Sequence, residues 1–145
     1  RLMRYFLKLI TEEEQINKLA GNRVVVFHEG LFHNGTNSII ELEKENPEVF
    51  KQLVKNKAVI NCTAEPEIII KYINERKIKG VWRPMLNGIS DQELIEKTKR
   101  SLEVKQELVN ILQKHNVPCL EINTANNVHE NAIKVRNFIG TLNQQ

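Results

Sequence analysis

Three short apolar runs stand out along the chain, and stretches with helical spacing of apolar residues separate them. The first is Arg23-Val24-Val25-Val26-Phe27-His28-Glu29-Gly30, β-branched through its middle and broken abruptly by an acid and a glycine. That pattern predicts a buried strand delivering a carboxylate to the C-terminal edge of a sheet. In open α/β folds ligands bind at that edge. Ala58-Val59-Ile60-Asn61-Cys62 and Pro118-Cys119-Leu120-Glu121-Ile122 have the same character. The predicted order is β-α-β-α-β-α with helix in front.

Leu2, Phe6, Leu9, Ile10, Ile16 and Leu19 recur at roughly helical spacing over 2–20. Thr11 before Glu12-Glu13-Glu14 reads as an N-cap with acids in the first turn, so two helices are expected to meet there. Gly21-Asn22 ends that region. Beyond Leu31-Phe32 the chain is polar and loop-like to Ser38. Helices are then expected from about Ser38 to Lys44, and from Asn46-Pro47 through Phe50, Leu53 and Val54. Glu65-Pro66-Glu67 is a helix start with proline in the first turn, leading through Ile69, Ile70 and Ile73 to about Arg76. Ser90-Asp91-Gln92-Glu93 has the form of a capping box and opens the longest helix, 91–115. The last helix covers 128–140. Alternating strands and helices with short connections require parallel pairing and right-handed crossovers. The expected fold class is therefore α/β, a three-layer α/β/α arrangement around a parallel sheet.

At 145 residues the chain fits a single domain, 1–145, with room for a sizeable core. Its 41% hydrophobic and 27% charged residues are those of a soluble globular protein. Acids interrupt most of the lysines and arginines, and the net charge of +3 argues against a nucleic-acid partner. No apolar run approaches the roughly 18 residues of a membrane span, and no signal-peptide pattern opens the chain. Cys62 and Cys119 lie in predicted buried strands, where reduced, inert thiols are the default, so a cytoplasmic location is expected. The start at Arg1 rather than Met makes a longer polypeptide, with a front portion before Arg1, the expectation.

Glu29 at the first strand's end is a candidate to hold a hydrated metal ion or act as a base, against the plainer reading of a solvated loop acid. His28 reads as a ligand or as a satisfied structural histidine. The string His28-Glu29-Gly30-Leu31-Phe32-His33 superficially resembles a zinc-protease motif, but its histidines are five apart, not four, and the residues before them favour a strand. Gly30 and Gly35 have the spacing of a phosphate-binding loop, but Thr36 and Asn37 stand in place of its lysine and hydroxyl residue. Arg76, Lys77, Lys79 and Arg83 cluster in and beside residues 77–89, which contain Gly80, Trp82, Pro84 and Gly88. Cations on a glycine-flanked segment make either a lid that closes over polyphosphate or an exposed basic loop. Thr124-Ala125-Asn126-Asn127 follows the third strand and reads as a purine pocket lining or as a capped turn.

Together these segments resemble the C-terminal two-thirds of a P-loop kinase of the nucleotide and small-molecule type, the adenylate, gluconate and shikimate kinase group. The resemblance rests on Val24-Val25-Val26-Phe27-His28-Glu29-Gly30, then Val59-Ile60-Asn61, Pro66-Glu67 and Arg76. A long helix follows, with Val117-Pro118-Cys119-Leu120-Glu121-Ile122-Asn123-Thr124 and Ala132–Ile139 as the ending. The chain departs from the group in three places. His28 stands where a metal-associated aspartate is usual, Lys71 stands near a common arginine position, and the phosphate-binding loop with its strand is absent from these residues. In the group that strand lies centrally, between those matching 24–28 and 58–62.

The resemblance implies ATP-dependent phosphoryl transfer to a small-molecule acceptor, with ATP and Mg2+ as cofactors and the front portion supplying the phosphate loop. It implies Glu29, Arg76 and Arg83 as catalytic residues and Glu29 at the metal. It implies Thr124, Ala125, Asn126, Asn127, Lys77 and Lys79 at the nucleotide. The alternatives are a non-catalytic nucleotide- or partner-binding relative and a self-sufficient flavodoxin-like binding module. Acceptor and oligomeric state are not legible.

Overall fold

The structure, a computed structural model, describes residues 2–21, 24–27, 30–80 and 88–142. In chain order its elements are α1 (Leu2–Ala20), α2 (Leu31–Asn34), α3 (Thr36–Glu45), α4 (Pro47–Val54), β1 (Val59–Thr63), α5 (Pro66–Ile78), α6 (Asp91–Lys114), β2 (Cys119–Asn123) and α7 (Val128–Leu142). The fold is α/β, mostly helical, and its described sheet is a parallel pair with Val59 opposite Cys119 and Thr63 opposite Asn123.

Local chemistry accounts for most boundaries. Asn46 accepts the Val49 N–H at 3.2 Å and Pro47 fills the first helical position of α4. Ser90 and Glu93 form the anticipated capping box at the start of α6, with Glu93 N donating to Ser90 Oγ at 3.2 Å and Ser90 N to Glu93 Oε2 at 3.0 Å. That Ser90 N–H bond, with Ser90 Oγ donating to the same Oε2 at 3.1 Å, holds the Glu93 carboxyl below its ordinary range. α6 ends where Asn116 takes φ of 60°. Asn116 N donates to Gln113 O at 2.9 Å and Val117 N to Leu112 O at 2.9 Å, a Schellman closure whose apolar ends, Leu112 and Val117, are both buried.

The core lies among α2, α3, α4 and α6. Leu31, Ile39, Ile40, Phe50, Val54, Leu108, Leu112 and Val117 form one buried cluster, with Val59 and Cys119 packed against it from the strands. Phe50 with Val54 and Leu108 with Leu112 are i, i+4 pairs, so each helix presents one stripe inward.

The structure corrects three expectations. Val24–Phe27 forms no strand, and Val24 and Val26 are 42% and 67% exposed. β-branched residues favour a pleated surface only where a neighbouring strand offers one, and no described strand lies beside this run. α1 runs unbroken through Thr11, because its leucines, lysines and glutamates favour helix throughout. Cys62 is exposed rather than buried. Cys119 is half-buried, and that burial pushes its thiol up.

β1 is paired on one side. Val59 N donates to Pro118 O at 2.9 Å and Thr124 N to Thr63 O at 2.8 Å, so residues 59, 61 and 63 turn their backbone groups toward β2. The N–H and C=O groups of Ile60 and Cys62 point the other way, and no described backbone group meets them. The outer edge of β2 is guarded instead. There Asn123 O is taken by Asn131 Nδ2 at 2.7 Å and by Asn126 N at 3.1 Å.

Candidate functional site at the sheet's C-terminal edge

Pro66 starts α5 immediately beyond the C-terminal end of β1. Ile69, Tyr72, Ile73 and Arg76 then recur at i, i+3, i+4 and i+7, one face of the helix. That face, with Ala64 after β1 and Thr124 after β2, lines a shallow groove of about 180 Å³. Tyr72 is half exposed and Arg76 exposed, whereas Ala64 is buried. The lining therefore combines apolar side chains, an aromatic ring and a guanidinium. No described carboxylate forms an ion pair with Arg76.

Of the residues singled out from sequence, the structure brings Arg76 and Thr124 together in this groove. Thr124 is fixed by two bonds to one acceptor, since its N–H and its Oγ1 both donate to Thr63 O, at 2.8 and 3.0 Å. Ala125 N donates to Asn123 Oδ1 at 2.8 Å. Asn127 caps α7, its Oδ1 accepting from His129 N at 2.8 Å and Glu130 N at 3.4 Å. The 124–127 segment is thus a capped turn, of which Thr124 alone, among the described residues, reaches the groove lining. Lys77 and Lys79 lie exposed at the end of α5, outside that lining. Lys79 N donates to Glu75 O at 3.1 Å.

Glu29 and Arg83 lie outside the described residues, as do His28 and Trp82. The flanks of the expected lid are described. Gly80 and Gly88 take φ of 71° and 81°, a backbone that side chains disfavour. Asn74 Nδ2 donates to the Asp91 carboxylate at 3.3 Å, tying α5 to the start of α6 at the segment's base. Among the described residues no group of three His, Cys, Asp or Glu side chains could hold a metal ion, and no helix is long and apolar enough to cross a membrane.

Sequence reasoning missed the apolar part of the groove, although the Ile69-Tyr72-Ile73-Arg76 spacing carried its signal. It also missed Asn131, 9% exposed on α7, whose Nδ2 is used at Asn123 O while its Oδ1 is buried with no described partner. No family model, curated protein or solved structure matches the chain.

Proposed function

We propose that these residues form the nucleotide-binding part of a P-loop kinase-like domain that transfers a phosphoryl group from ATP to a small-molecule acceptor. The observation that carries the reading is the meeting of Arg76 and Thr124 across one apolar groove at the C-terminal edge of β1 and β2. A purine ring suits the apolar lining of Ile69, Ile73 and Ala64, with Tyr72 to stack on. The Arg76 guanidinium then faces the phosphates and offsets charge that builds as the γ-phosphoryl group leaves. Lys77, Lys79 and Arg83 close over the same charge from the segment between Gly80 and Gly88 and its flanks.

The unpaired edge of β1 supports the remaining part of the proposal. A further parallel strand there, from polypeptide outside these 145 residues, would satisfy Ile60 and Cys62. It would bring the phosphate-binding loop beside Thr63, and the Val24–Phe27 run would find its neighbour on that strand's far side. Glu29 would then hold the magnesium ion or orient the acceptor hydroxyl. His28, at the usual metal-associated position, favours a second reading, a nucleotide-binding module without turnover.

Magnesium-dependent ATP turnover by the full-length polypeptide separates the two. Turnover abolished by Glu29→Gln with nucleotide binding retained supports transfer. Binding without turnover supports the second reading, and no binding of any nucleotide rejects both.

A further inference from the structure

Among the described side chains of α1, the buried one is a carboxylate. Glu13 is 7% exposed. Its Oε1 accepts the Leu31 N–H at 2.8 Å, and its Oε2 pairs with Lys57 Nζ at 2.9 Å. The same helix leaves Ile16 41% and Leu19 88% exposed. Ile10 is its described contribution to the core cluster, and that side chain is half-buried. Helices are ordinarily held to a core by an apolar stripe; among the described side chains of α1, a buried charged group also ties the helix to two other segments, the start of α2 and the turn before β1.

Such an attachment behaves differently from apolar packing. A buried ion pair adds little over an apolar pair of the same shape, yet removing one partner strands the other without solvent. Here the loss would leave the part-exposed Lys57 ammonium without its partner and the Leu31 N–H without its acceptor. Half-measures are therefore unfavourable.

We propose that α1 is a strap across the Leu31–Phe32 end of the core, held there by Glu13 and released as a unit when Glu13 or its lysine partner is replaced. Release uncovers α2, whose Leu31 is 1% exposed and whose Phe32 packs against the cluster, while α3, α4 and α6 keep their mutual packing.

Hydrogen exchange read by mass spectrometry on the full chain tests this with Glu13→Gln, Lys57→Met and the control Glu12→Gln, whose carboxylate makes an exposed pair with Lys8. Exchange over residues 10–20 should accelerate on the order of 100-fold in the first two variants. Residues 108–112 and 119–123 should exchange as in the parent, and the control should match the parent throughout. Unchanged exchange in α1 would overturn the proposal. So would equal acceleration in α1 and α6, acceleration in the control, or failure of both Glu13→Gln and Lys57→Met to fold.

Discussion

Glu43 Oε1 lies 3.1 Å from His115 Nε2, joining the C-terminal half of α3 to the residue that caps α6. The imidazole also packs at 57° on the ring of Phe50, with centroids 4.8 Å apart. One side chain thus connects three helices just before the chain turns into β2. Because His115 and Glu43 are only 15% and 16% exposed, His115→Ala removes both an aromatic contact and the nearer partner of a poorly solvated carboxylate, leaving Lys114 Nζ at 3.9 Å. We expect a loss of about 2 kcal/mol in urea unfolding. A change below about 0.5 kcal/mol would contradict this role.

Gly30 has little room for a side chain. A Cβ there would stand 3.0 Å from Phe27 Cβ and 3.1 Å from Glu13 Oε1. Its φ of −67° suits any residue, so the penalty is steric rather than conformational. Gly30→Ala should lower stability by about 1–3 kcal/mol. An unfolding midpoint at or above that of the parent would refute the close approach.

Asn116 presents the opposite case, in which conformation decides. At φ of 60° an alanine is strained and a glycine is not. Asn116→Ala should therefore cost about 1 kcal/mol, and Asn116→Gly should sit above it in the same unfolding assay. Equal midpoints for the two variants would count against the Schellman closure.

The capping box gives a pH dependence with a definite sign. Glu93 is held below its ordinary range by the Ser90 backbone and hydroxyl bonds. A carboxyl depressed in the folded state contributes stability above its unfolded pKa, and that contribution disappears as pH falls through the folded value. Ser90→Ala should therefore destabilise the protein at neutral pH, and the gap between variant and parent should narrow in acid. A gap that widens on acidification would contradict the assignment.

Sequence patterning located what depends on neighbours in the chain. Pro66, the Ser90/Glu93 pair and the Asn46-Pro47 start all lie where their local chemistry places them, and β1 and β2 fall within one residue of the two later apolar runs. Partners distant in sequence decided the rest. Val24–Phe27 has strand composition without a described strand beside it, and Cys62 lies on a strand paired on one side. Glu13 looked like a first-turn acid after Thr11, but Lys57 and Leu31 gave it a different role. The groove itself was half visible: Arg76 and Thr124 were marked separately, but only the positions of α5 and β2 reveal that they share it.

The most direct test of the nucleotide reading is a map of protection on the full-length polypeptide with and without magnesium ATP, by amide exchange. The account predicts slowed exchange at residues 69–76 and 124–127, lost together with about tenfold or more of the affinity in Arg76→Ala. ATP that binds without protecting either segment, or binds Arg76→Ala as tightly as the parent, would contradict it.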